Sequence, residues 1–263
     1  MRDTGGSMRR WVGLSAILCL LTIAEAFAGE PKCDPLAIDL TVTPQRTMIY
    51  ASLKETLKVE TARPERADVV LIGDSLFAGW RTDLPTAFSS TAIYDFAVGG
   101  DRVPNVLWRF EKTDLSPLRP SAVALLIGTN DLAAGTPACA VATGIETVVE
   151  RLRAIWPQTP VLVLTIPPRG ADFHALDDRR LEVNGAIAAL ADRLPNVHAV
   201  VIDDDAFTCG QFGKPRQAGA AAPRLACGNY ADDNLHFSTA GYVALGNTLR
   251  AAAKAALGKD VFR

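Results

Sequence analysis

The chain has 263 residues, 49% of them apolar and 21% charged, with a formal net charge of −2 and a pI of about 5.9. That is enough chain for one sizeable core. No basic run stands out, which argues against nucleic acid or an anionic membrane surface as a partner.

In chain order, the first 28 residues read as a secretory signal peptide. Arg9 and Arg10 precede an apolar run from Trp11 to Ile23, and small residues follow at Ala26-Phe27-Ala28. This pattern predicts cleavage after Ala28. The apolar run is shorter than the roughly 20 residues of a comfortable membrane span. Leu18 is too bulky for the small residue expected before a lipoprotein cysteine at Cys19. The mature chain is therefore expected in the periplasm or the medium, with no stable membrane anchor. Residues 29–45, with Pro31, Pro35 and Pro44 as breakers, are expected to form an irregular lead-in, and residues 46–263 the globular domain.

Five short runs rich in Val, Leu and Ile, at 67–73, 91–98, 122–128, 160–166 and 197–203, read as strands buried on both faces. Helical patterns lie between them. Val103, Val106, Leu107 and Phe110 fall at i, i+3, i+4 and i+7, segments 144–156 and 178–194 are amphipathic, and a last helix is expected from Thr239 to about Leu257. Strands alternating with helices predict an α/β fold, with a parallel sheet covered by helices on both faces. Sites in such sheets lie at the carboxyl ends of the strands. Ser75 follows the first strand, Gly99-Gly100-Asp101 the second and Gly128-Thr129-Asn130-Asp131 the third, while Asp233-Asn234-Leu235-His236 precedes the last helix. All four polar clusters are expected on one rim.

Beyond the expected signal peptide lie Cys33, Cys139, Cys209 and Cys227. An even count in an exported chain favours disulfides. Cys209 and Cys227 flank a loop-like stretch rich in Gly, Ala and Pro and are expected to pair, with Cys33–Cys139 as the implied second bond. Closing the 209–227 loop stabilises by about 3 kcal/mol in the chain-entropy model. With no C-x-x-C and no histidine pair at ligand spacing, no metal site is expected.

A serine hydroxyl needs a base within hydrogen-bond reach and a group that orients the base. Three histidines are available. His174 lies in a loop, His198 in an apolar run that reads as a packed strand, and His236 in a turn before a helix. Asp233, three residues before His236, has the spacing to hold the imidazole tautomer, with Asp232 the weaker alternative. Acyl transfer also needs oxyanion donors, and the backbone N–H groups of Ser75 and Gly100 with the Asn130 amide are the candidates. Each feature taken singly has a plain structural use. Ser75 suits a helix cap, Gly99-Gly100 a turn, Asn130-Asp131 a strand end and Asp233–His236 a surface pair. Their convergence on one rim favours chemistry. The glycines of "VGGDR" do not form G-x-G-x-x-G, and Phe77 stands where a G-x-S-x-G elbow needs its second glycine. Trp80, Arg102 and Arg109 are open between packing and substrate contact, whereas Trp108 reads as packing.

In order, "GDSLFAGW", "VGGDR", "GTND" and "DNLH" resemble the four blocks of the SGNH, or GDSL, hydrolase superfamily. "AVGGDRVPNVLWRF", "LLIGTND" and "IPPRG" are similar to the branch of the platelet-activating-factor acetylhydrolase catalytic subunits and their bacterial relatives. The resemblance covers roughly Ala67 to Leu257. It implies a flavodoxin-like three-layer α/β/α sandwich and ester hydrolysis without cofactor or metal. Ser75 would be the nucleophile, His236 the base and Asp233 its orienting carboxylate, with Ser75, Gly100 and Asn130 as the oxyanion hole and Asp74 a structural neighbour. Asp95 and Ala97 stand where relatives often carry Asn and Gly. The stretch from Cys209 to Cys227 resembles an insertion beside the Asp-His turn.

The expected activity is an exported serine esterase that removes short acyl groups, acetyl first, from small-molecule or glycan esters. The alternatives are a lysophospholipase, aryl-esterase or thioesterase-type acylhydrolase, and a non-catalytic glycan-binding module on the same fold.

Overall fold

The computed structural model describes residues 33–213 and 225–263. The expected signal peptide, residues 1–28, lies outside the described residues. Helices α1 (Pro35–Val42) and α2 (Tyr50–Thr61) precede strand β1 (Val69–Gly73). Then come α3 (Ser75–Ala78), α4 (Leu84–Ala87), β2 (Ile93–Asp95), α5 (Val103–Lys112), β3 (Ala122–Leu126), α6 (Thr129–Ala133) and α7 (Ala138–Ile155). The chain continues through β4 (Val161–Leu164), α8 (Asp177–Arg193), β5 (Val197–Val200), α9 (Asp204–Phe207) and α10 (Thr239–Leu257).

The five strands form one sheet in the order β2-β1-β3-β4-β5, and every pairing is parallel. Because side chains alternate across a strand, the sheet separates two apolar cores. Val70, Ile72, Val123, Leu125, Val161 and Val163 pack with residues of α5, α7 and α8. Val69, Leu71, Ala124, Leu126, Leu162 and Leu164 pack with Trp80, Phe88 and the Leu245/Leu249 face of α10. This is the expected α/β/α sandwich.

The expected run 91–98 is regular only from Ile93 to Asp95. Beyond it, the N–H groups of Phe96 and Val98 still donate to Leu71 and Gly73 of β1, at 2.9 and 3.1 Å. The chain thus runs beside β1 to its carboxyl end and delivers Gly99-Gly100 next to Ser75.

The irregular lead-in expected over 29–45 is corrected by α1. Pro35 starts a helix rather than breaking one, because the first turn leaves its N–H positions unpaired in any case. Asp34 caps it, its carboxylate accepting from Leu36 N–H at 3.0 Å. Helix α1 packs on α7, where a Cβ on Gly144 would come within 2.7 Å of the Thr41 methyl. Both expected disulfides are present. Cys33–Cys139 ties the start of α1 to the start of α7, and Cys209–Cys227 closes the segment before α10.

Candidate active site

Strand β1 ends in Gly73, where a Cβ would lie 2.2 Å from the Leu126 carbonyl oxygen on β3. Only glycine fits against that neighbour. Asp74 then caps α3, its Oδ1 accepting from Leu76 N–H at 2.9 Å. Ser75 therefore occupies the first turn of a helix, where backbone N–H groups have no helical acceptor.

The structure brings Ser75, His236 and Asp233 into one hydrogen-bonded series. Ser75 Oγ lies 2.9 Å from His236 Nε2, and His236 Nδ1 lies 2.6 Å from Asp233 Oδ2. Asp233, not Asp232, is the partner. Its other oxygen, Oδ1, accepts from the N–H groups of Leu235 and His236, both at 2.9 Å. Asn234 has a positive φ of 51°, which makes this turn tight enough for the carboxylate to reach both backbone and ring. A carboxylate can only accept at Nδ1, so Nδ1 carries the proton and Nε2 presents its lone pair to the serine. Burial works to raise the Asp233 pKa, but the bonds from the His236 ring and from the backbone N–H groups of His236 and Leu235 outweigh it and bring it down to about 2. The His236 and Asp233 side chains are 41% and 50% exposed, so the series opens to solvent.

Of the proposed oxyanion donors, Gly100 has φ +79°, and a Cβ at the adjacent Gly99 would lie 3.9 Å from Ser75 Cβ. Asn130 sits in the first turn of α6, past the end of β3. One of its amide hydrogens goes to the Asp101 carbonyl at 2.9 Å, which fixes the side chain and leaves the second hydrogen to donate.

Buried acids support this rim. Asp101 is fully buried and meets Arg109, whose Nε donates to Oδ2 at 2.9 Å while Nη1 donates to the Phe96 carbonyl at 2.5 Å. Arg109 is thus a structural cation, resolving one of the open assignments. Trp80 is also buried, stacked on Tyr242 with ring centroids 5.4 Å apart. Trp108 is half-buried, with the Lys112 ammonium 5.8 Å from its ring. The Asp131 carboxylate accepts from Val103 N–H at the start of α5. Burial pushes Asp74 and Asp131 up to about 7 and Asp101 up to about 6, and for Asp74 the nearby Asp101 and Asp131 charges add to the rise.

His174 lies apart from the series, bonded to Asp177 at 2.5 Å and to the Phe212 carbonyl at 3.1 Å. His198 lies on the edge strand β5, in register with Leu162 of β4. Asp95 forms an ion pair with Arg81 at 3.1 Å, and Arg81 also donates to the Ala97 carbonyl at 2.6 Å. The two departures from the superfamily pattern are thus joined by one guanidinium. Sequence reading missed α2, whose Ser52 and Glu55 hold Gly99. No local motif signals a contact 44 to 47 residues away. A groove of about 580 Å³ between α2 and β2, lined by Lys58, Arg81, Phe88 and Tyr94, does not include the serine or the imidazole.

A serine, an imidazole and a carboxylate hydrogen-bonded in series on the carboxyl rim of a parallel sheet have the geometry of a serine-dependent acylhydrolase. The chain belongs to the GDSL-like lipase/acylhydrolase family, a family of carboxylic-ester hydrolases, whose model matches residues 71–244. It is 32% identical over 151 residues to platelet-activating factor acetylhydrolase IB subunit alpha2 of Gallus gallus, a match covering 55% of this chain and 63% of the relative. The match thus spans less than two thirds of that relative's length. The fold is similar to that of a GDSL-like lipase from Bacteroides thetaiotaomicron (TM-score 0.55, 19% identity, 79% of this chain and 100% of the other). It is also similar to a family 3 carbohydrate esterase from Clostridium thermocellum (TM-score 0.53, 19% identity, 73% and 98%).

Proposed function

We propose that this protein is an exported serine esterase that hydrolyses short-chain acyl esters, acetyl esters first. The observation that carries the reading is the Ser75–His236–Asp233 series, with a free lone pair on Nε2 facing the serine hydroxyl. As Ser75 Oγ attacks the ester carbon, its proton passes to His236 Nε2. Negative charge then forms on the former carbonyl oxygen, where the N–H groups of Ser75 and Gly100 and the Asn130 amide stabilise it. Collapse breaks the bond to the alcohol, which leaves with the proton from Nε2. Water, deprotonated by the same imidazole, hydrolyses the acyl-serine, releasing the carboxylic acid and restoring the enzyme. Asp233 stays ionised throughout and stabilises the imidazolium.

The acetyl preference is taken from the acetylhydrolase relatives. Small-molecule or glycan esters are the substrate class, and the open triad suits an acyl group carried on a bulky alcohol. Export rests on the N-terminal pattern and on two disulfides, which persist in oxidising compartments. Residues 1–28 are the proposed signal peptide and 46–263 the hydrolase domain, now preceded by α1. Among the described residues, no helix is long and apolar enough to cross a membrane.

The test is hydrolysis of p-nitrophenyl esters from acetyl to octanoyl by the wild type and by Ser75→Ala. Turnover that peaks at acetyl or butyryl and vanishes in the variant is expected. A peak at octanoyl would refute the chain-length preference, and activity surviving in Ser75→Ala would refute the nucleophile.

A further inference from the structure

The loop that carries Gly100 is held from behind by α2. Gly99 N–H donates to Glu55 Oε2 at 2.8 Å, and the Gly99 carbonyl accepts from Ser52 Oγ at 2.5 Å. Glu55 Oε1 in turn receives Arg81 at 2.7 Å, and Arg81 binds the Ala97 carbonyl. Ser52 is buried, at 4% exposure.

The Gly99 carbonyl and the Gly100 N–H belong to one peptide group. A trans peptide is planar, so its C=O and N–H point in opposite directions. There is no cis peptide among the described residues. With the carbonyl drawn toward α2 by Ser52, the Gly100 N–H must point away from α2. Ser75 adjoins this peptide, since a Cβ on Gly99 would lie 3.9 Å from Ser75 Cβ, and the Gly100 N–H has no protein acceptor among the described residues. A hydrogen bond into the carbonyl also polarises the peptide and strengthens its N–H as a donor. Ser52 also packs closely on this peptide, since a Cβ on Gly100 would come within 3.1 Å of Ser52 Oγ.

We propose that Ser52 is a positioning residue for the oxyanion hole: its hydroxyl sets the plane of the Gly99–Gly100 peptide and so aims the Gly100 N–H at the developing oxyanion. Glu55 and Arg81 hold the preceding peptides so that the plane cannot rock. This inference rests on the esterase reading above and extends it to residues outside the four sequence blocks.

The experiment compares wild type, Ser52→Ala and Ser52→Thr as full chains. With p-nitrophenyl acetate, kcat of Ser52→Ala should fall about 10- to 100-fold, short of the roughly 100- to 1000-fold for deleting a donor outright. KM should hold, because the ground-state carbonyl makes little use of the donor. Affinity for a trifluoromethyl ketone, whose serine adduct carries the oxyanion, should fall by the same factor as kcat/KM. Ser52→Thr keeps the hydroxyl and should recover most of the loss. An unchanged kcat in Ser52→Ala, a change confined to KM, or a threonine variant no better than alanine would overturn the proposal. A readout without turnover separates it from the esterase reading. In Ser75→Ala, adding Ser52→Ala should move the ¹⁵N–¹H signal of Gly100, and an unmoved signal would overturn the proposal whatever the enzyme hydrolyses.

Discussion

Replacing Asp233 by Asn keeps the shape of the carboxylate and inverts one of its hydrogen-bonding ends. The turn decides which end. Oδ1 accepts two backbone N–H groups, from Leu235 and His236, so the amide oxygen must stay there and the NH₂ must face the imidazole. An NH₂ can only donate, so Nδ1 must give up its proton and Nε2 must take it. The ring then faces Ser75 with an N–H where it needs a lone pair. In a serine protease triad, the equivalent change lowers kcat on the order of 10⁴-fold, or about 5 kcal/mol at 1.36 kcal/mol per decade. The same loss is expected here for acetyl ester hydrolysis. Stability at neutral pH should fall by less than about 2 kcal/mol, because the ionised carboxylate is favoured in the fold but is half exposed, and the two backbone bonds survive. Steady-state kinetics with a parallel thermal melt measure both quantities, and ¹⁵N spectra of the ring identify the tautomer. A fall of less than tenfold in a variant that melts like the wild type would refute the tautomer argument and Asp233's role with it.

Arg109→Met should cost about 3–5 kcal/mol in urea unfolding, because it leaves the Asp101 carboxylate buried without its cation. A loss below about 1 kcal/mol would show that the site relaxes or admits water. Asp74→Asn tests the buried acid beside Ser75. Burial raises the folded-state pKa of Asp74 from 3.8 to about 7, so its contribution to stability is fully present below about pH 4 and is lost as pH rises through 7. Asparagine does not titrate and still offers an oxygen to Leu76 N–H. The stability of the variant relative to wild type should therefore rise between pH 4 and pH 8, by at most about 4 kcal/mol. A pH-independent difference in unfolding free energy would contradict this assignment.

The sequence makes the sheet legible because strands buried on both faces are written as continuous apolar runs. The runs overreach at their ends, as at 91–98, since periodicity cannot tell a paired strand from an extended chain lying alongside one. Helix α1 was hidden by its own prolines, because Pro35 in a first turn and a proline that breaks a helix look alike until the cap at Asp34 is seen. The Ser75 block and the Asp233–His236 pair are legible because their geometry is local: a capped turn after a strand, and a three-residue turn before a helix. Gly100 and Asn130 are legible as polar punctuation at strand ends.

The supports of those residues are a different matter. The 101–109 ion pair, the 81–95 ion pair and the bonds from Ser52 and Glu55 to Gly99 join segments with no shared pattern. The sequence by itself determined the class of fold, the family and the residues that can carry charge or protons, because those are properties of short stretches and their order. Only the tertiary structure decided which carboxylates are paired, which way the Gly99–Gly100 peptide faces and how open the Ser75–His236–Asp233 series lies. Burial and hydrogen-bond direction depend on what the folded chain brings together across space.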